Sequence, residues 1–169
     1  MKYFSYISII FFLLVSCQKQ LPQLPANKSN TVDAVGNGLL KINEELILRE
    51  DSLLADFVSK SDSDFVKVKS GFWYKMNFKT NLKLLKVDDK CVVDYSVYTL
   101  DKELLSRKNE QIVIGKNQIV NGAEELLKQL HKGEKATLIL PWYLAYGMKG
   151  DAENIPPYTS VIVYLHLLE

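Results

Sequence analysis

Leu138-Ile139-Leu140-Pro141-Trp142-Tyr143-Leu144-Ala145-Tyr146-Gly147, with Pro156-Pro157 beginning nine residues beyond the glycine, decides how this chain is read. Glu134 to Leu140 is a largely apolar run of strand length. Pro141 ends it, because proline has no N–H to give to a ladder. A turn closing on Ala-Tyr-Gly follows. The double proline then leads into a last strand, Ser160 to Leu168.

Working back from this stretch, the pattern remains one of strands. Phe65 to Lys69 alternates, Ser70-Gly71 marks a turn, and Phe72 to Phe78 is rich in β-formers. Lys90 to Tyr98 is a strand entered through Val87-Asp88-Asp89. Gln111 to Ile114 is a short strand stopped by Gly115, and Lys102 to Glu110 before it reads as a loop. Asn121 to Leu130 is a short helix with Leu126, Leu127 and Leu130 on one side, closed by His131-Lys132-Gly133. Six strand segments around one helix make residues 64–169 an α+β domain, an antiparallel sheet wrapped on a short helix.

The first 16 residues read as an export signal. Lys2 is followed by an apolar run, Ile7 to Val15, far short of the ~20 residues that span a bilayer. Leu14-Val15-Ser16-Cys17 resembles a bacterial lipobox, which makes Cys17 a lipidation site and tethers the chain to a membrane. Residues 17–38 hold Pro22, Pro25, Gly36 and Gly38 and read as a linker. Residues 39–62 form a helical extension. Within it, Leu39, Leu46 and Leu53 repeat at seven, as do Leu40, Ile47 and Leu54. That stripe suits docking on the adjacent domain and, equally, pairing of the 39–59 helix with a second copy as a homodimer. A lipidated Cys17 leaves Cys91 without a disulfide partner, and Cys91 reads as a small core residue.

The 21 basic and 20 acidic side chains nearly cancel, so nothing points to nucleic acid. His131 and His166 lie far apart with no ligand at metal spacing, and Gly147-Met148-Lys149-Gly150 lacks the spacing of a phosphate loop. No metal or cofactor is expected.

Five short motifs occur in order: Lys90-Cys91-Val92-Val93-Asp94-Tyr95-Ser96, then Ile114-Gly115 through Ile119-Val120-Asn121-Gly122-Ala123, Lys132-Gly133-Glu134, Ala145-Tyr146-Gly147 and Ile155-Pro156-Pro157. Together they resemble the FKBP-type peptidyl-prolyl cis–trans isomerase domain. The wider layout of lipobox, charged helix and Gly71-Phe72-Trp73-Tyr74 resembles the gliding-motility-associated FKBP-type lipoproteins of Bacteroidetes. The resemblance implies an isomerase acting on proline-containing clients among exported proteins, lipid-anchored and facing the periplasm. It also leaves room for a chaperone or scaffold module with little catalysis.

Carried over by position, the resemblance implies Tyr95, Tyr146 and the backbone N–H of Val120 as the catalytic groups. Leu105, Ile119, Ala123, Ile155 and Val163 become the walls of a proline pocket. Three positions depart from the family pattern. Ala123 stands where the family has a tryptophan floor, Ser106 where it has an aspartate near Tyr95, and Glu110 where it has an aromatic. Leu105 and Val163 also replace phenylalanines, so a wider, shallower pocket is expected. Read without the motifs, Tyr95 and Tyr146 are interior tyrosines with satisfied hydroxyls, and Ile119, Val120 and Val163 ordinary core residues.

Overall fold

A computed structural model describes residues 28–61 and 64–168. The export signal, Cys17 and the start of the linker lie outside the described residues. The chain divides into two compact units, Met1–Asn43 and Glu44–Glu169. The described part of the first is helical. It opens helix α1, Lys28–Ser59, whose remainder belongs to the second unit. Among the described residues, no helix is long and apolar enough to cross a membrane.

The linker reading of 28–38 is therefore corrected: those residues are helical. Gly36 and Gly38 each cost about 1 kcal/mol against alanine in a helix. A helix already nucleated over 39–59 still propagates through them, because each further residue adds a bond without a new nucleus.

The second unit holds one six-stranded antiparallel sheet. Its strands are β1 (Val66–Lys67), β2 (Trp73–Phe78), β3 (Lys90–Tyr98), β4 (Leu104–Val113), β5 (Lys135–Leu140) and β6 (Val161–Leu167). Their order is β1-β2-β5-β6-β3-β4. Helix α2, Asn121–Leu127, lies in the chain between β4 and β5. The α+β expectation holds.

Two boundaries differ from the sequence reading. The segment Lys102–Glu110, read as a loop, is mostly strand: β4 pairs with β3 from Tyr98↔Leu104 to Lys90↔Val113. It escapes the alternation test because it is an edge strand with Arg107, Lys108 and Asn109 exposed to solvent. Charges at such an edge also discourage pairing with other chains. Strand β1 is only two residues long and lies at the opposite edge of the sheet.

Alternation places the core. On one face Val93, Tyr95, Val97, Ala136, Leu138, Leu140, Val163 and Leu165 pack with Ala123, Leu126 and Leu127 of α2. On the other face Ile139 and Ile162 pack with Leu54 and Val58 of α1, flanked by Phe57, Trp73 and Tyr98. Strands β5 and β6 are covered on both faces, so they read as nearly continuous apolar runs. Of the helix stripe, Leu54 and Val58 dock, whereas Leu46 and Leu53 stay exposed. Cys91 is a buried free thiol, pushed up mainly by burial and then by the Glu124 carboxylate, which suits a core residue.

Candidate active site

The eight pocket residues singled out from sequence gather at one apolar cluster. Tyr95, Ile119, Ala123, Ile155 and Val163 are buried in one cluster, and Leu105, Val120 and Tyr146 pack against it half-buried. They come from strands β3, β4 and β6, from helix α2 and from the loops beside them, so several local supports are needed.

Ile119 and Val120 ride on the loop between β4 and α2. Two side chains close that loop: Val113 N–H donates to Gln118 Oε1 at 2.6 Å, and Gly115 N–H donates to Glu124 Oε1. Val120 stands at the entry of α2 in extended conformation (φ −59°, ψ 141°), and its carbonyl accepts Glu124 N–H at 3.0 Å. Among the described residues, nothing accepts the Val120 N–H. It is a donor left over at the rim, where the family resemblance wants one.

Tyr146 follows a 3₁₀ turn, Trp142–Leu144, which Pro141 starts with its fixed φ. Gly147 N–H returns to Trp142 C=O at 2.8 Å and locks the tyrosine's backbone. The loop beyond closes around Asp151, whose Oδ1 accepts the N–H groups of Glu153, Asn154 and Ile155 at 3.0, 2.9 and 2.7 Å. Those donors hold the Asp151 carboxyl below its ordinary value. Gly150 is obligatory here: its φ is +69°, and a Cβ would lie 1.9 Å from the Ile155 carbonyl oxygen. The loop thereby presents Ile155, 3% exposed, to the cluster.

The two phenols share an electrostatic setting. Burial pushes Tyr146 up to about 12, with Asp151 and Glu110 adding to it. Burial raises Tyr95 further, followed by the charge of Glu110 and a hydrogen bond with it. Both hydroxyls therefore stay protonated as donors at neutral pH. Glu110, read from sequence only as a misplaced aromatic, lies beside both.

Ala123, where the family has a tryptophan floor, is 1% exposed and packed inside the cluster. An opening of about 280 Å³ lined by Asp94, Arg107, Lys135 and His166 carries none of the candidate residues. Its mixed charges suit water rather than a proline ring.

Sequence reasoning missed a second set of groups, on α1. Tyr143 O–H donates to Asp51 Oδ1, and Ser160 Oγ donates to Glu50 while accepting Trp142 N–H at 2.8 Å. These bonds tie the helix to the turn that precedes Tyr146. No local pattern could have announced them, since the partners lie 92 and 110 residues apart.

The profile of FKBP-type peptidyl-prolyl cis-trans isomerases matches residues 82–168, just over half of the chain and the part that holds all eight candidates. The chain belongs to that family. It is 29% identical over 102 residues to the macrophage infectivity potentiator of Trypanosoma cruzi, covering 58% of this chain and 52% of that one. It is 33% identical over 91 residues to human peptidyl-prolyl cis-trans isomerase FKBP9, covering 51% of this chain and 16% of that one. The chain thus spans about half, or less, of the length of these relatives. Among solved structures, a peptidyl-prolyl isomerase from Pseudomonas syringae superposes with a TM-score of 0.62 at 17% identity, over 75% of this chain and 93% of its own. The N-terminal domain of FKBP42 from Arabidopsis thaliana gives 0.57 at 19%, over 64% and 93%. At those identities the structures speak to the fold alone.

Proposed function

We propose that this chain is a peptidyl-prolyl cis–trans isomerase, held at a bacterial membrane by lipid on Cys17 and facing the periplasm. Its clients are proline-containing segments of exported proteins. The carrying observation is convergence: Tyr95, Tyr146 and the unclaimed Val120 N–H meet the aliphatic cluster of Ile119, Ile155 and Val163, inside the segment that matches the family.

The chemistry asks for little more. Rotation about an Xaa-Pro bond crosses a barrier of roughly 18–20 kcal/mol because twisting breaks amide resonance. No acid, base or nucleophile is required. A site that binds the twisted amide more tightly than the planar one accelerates the exchange. The apolar walls hold the proline ring and exclude water. The Tyr146 hydroxyl and the Val120 N–H orient carbonyl oxygens of the client. Among the described residues the Tyr146 hydroxyl makes no hydrogen bond, so its proton is available.

The lipobox pattern at Cys17 supports the tether, and the resemblance to gliding-associated lipoproteins supports clients in a surface motility machine. A second reading is a binding module with little turnover, acting as a chaperone or scaffold. The covered floor at Ala123 favours it, as do the exposed Leu46 and Leu53, which with Trp142 and Tyr158 line a groove of about 340 Å³. Pairing of the α1 stripe in a homodimer fits the same exposure.

Exchange NMR on an Ala-Leu-Pro-Phe peptide, with the soluble 18–169 fragment beside Tyr146→Phe, separates the readings. Acceleration that drops in the variant supports the isomerase. An unchanged exchange rate at high protein concentration supports the binding module.

A further inference from the structure

We propose that Glu110 is a positioning residue of the isomerase site, receiving the Tyr95 hydroxyl from one strand diagonal where Ser106 occupies the other. The proposal rests on the isomerase reading above. It begins from strand register. Tyr95 pairs with Lys108, Val93 with Glu110 and Val97 with Ser106. Alternate residues of a pleated pair share a face, so Ser106, Lys108 and Glu110 lie on the same face as Val93, Tyr95 and Val97. That face is the core face, since Val93 and Val97 are fully buried.

Tyr95 therefore has two same-face diagonal neighbours on β4, Ser106 and Glu110. Diagonal positions lie about 7–8 Å apart, a gap that long side chains cross and serine does not. Glu110 has the length, and it is half-buried at the edge of the cluster, with Lys108 Nζ 3.9 Å from its Oε1. The Tyr95 hydroxyl is a donor on the same face for that carboxylate, and the effect of Glu110 on both phenols agrees with that placement.

The consequence is a division of labour between the tyrosines. The single proton of Tyr95 is committed to Glu110, which fixes the ring as a wall. Tyr146, facing the same carboxylate and Asp151, keeps its proton for the client's carbonyl. The acceptor lost at Ser106 is thus regained four residues later on the same strand.

The test uses the full chain in mild detergent with ¹³Cζ-labelled tyrosine, assigned through Tyr95→Phe. Glu110→Ala should shift the Tyr95 resonance and lower kcat/KM on the order of tenfold, the size of a lost hydrogen bond to a charged group. Glu110→Gln, which keeps an acceptor, should retain most of both. Ser106→Asp added to Glu110→Ala should restore both from the opposite diagonal. In a Tyr95→Phe background Glu110→Ala should have a much smaller effect on kcat/KM, what remains being its charge on Tyr146. The proposal is overturned if Glu110→Ala leaves the Tyr95 resonance in place, or if Ser106→Asp fails to bring it back. The resonance reports the contact even in a protein that turns over no peptide, so failure of the isomerase reading is told apart from failure of this one.

Discussion

Tyr143 donates its hydroxyl to Asp51 and thereby ties helix α1 to the turn that carries Tyr146. Ser160, bridging Glu50 and the Trp142 N–H, makes a second tie to the same turn. The helix that looks from sequence like an appendage is thus part of the site's foundation. Tyr143→Phe should cost about 1.5–3 kcal/mol of stability, the range for a hydrogen bond to a charged acceptor. It should also lower turnover, although Tyr143 lies outside the cluster. The exposed pair Lys60–Asp56 is the control, because surface pairs contribute about 0–1 kcal/mol. Denaturant melts and peptide exchange on Tyr143→Phe and Lys60→Ala check both points.

Alkaline pH should weaken the fold through the same phenols. Tyr95, Tyr143 and Tyr146 all have folded-state values raised above 10.0, each chiefly by burial. A raised folded value means that the unfolded chain loses its proton first. Stability is therefore fully present below about pH 10 and is lost as pH rises through the folded values, about 12 for Tyr146. Melting temperature followed from pH 8 to 12 should fall from pH 10 upward. Tyr146→Phe should flatten that fall in proportion to its share.

Restoring the family's tryptophan should not improve the site. Ala123 is already covered by its neighbours, so Ala123→Trp has no pit to fill. Overpacking a closed core position costs about 1–3 kcal/mol. The expected outcome is a lower melting temperature with no gain in kcat/KM. A stable variant with faster turnover would show that an open floor exists after all.

Gly150→Ala tests the loop that carries Ile155. Its Cβ would meet backbone, which cannot swing aside as a flexible side chain can, and its φ is left-handed. The cost should be about 1–3 kcal/mol or a rearranged loop. Peptide affinity should fall through displacement of Ile155. Asp151→Ala, which removes the acceptor of three N–H groups, should act in the same direction.

Much of this was legible in the chain because it depends on neighbours in sequence. The apolar runs of β5 and β6, the alternation of β3, the stop at Pro141 and the leucines of α2 follow from local chemistry, and the ordered motifs around Tyr95, Ile119 and Tyr146 gave the family resemblance. The eight candidate residues were nameable for that reason. Strand β4 was not, since Arg107, Lys108 and Asn109 face solvent at an edge and leave no apolar period to detect. The reach of α1 back to Lys28 was hidden by two glycines whose helical cost is outweighed by cooperative propagation.

Only the folded chain decided what those residues do to one another. Register set Glu110, rather than the nearer-looking Ser106, within reach of Tyr95, because side-chain length matters on a strand diagonal. Sheet packing chose Leu54 and Val58 from a stripe that offered Leu46 and Leu53 equally. Packing buried Ala123 within the cluster at the position where the family has an aromatic. Sequence determines which elements form, since backbone preference and hydrophobic period are local. Contact between groups some ninety residues apart is a property of the assembled sheet, where the energy of each choice depends on what the others have already buried.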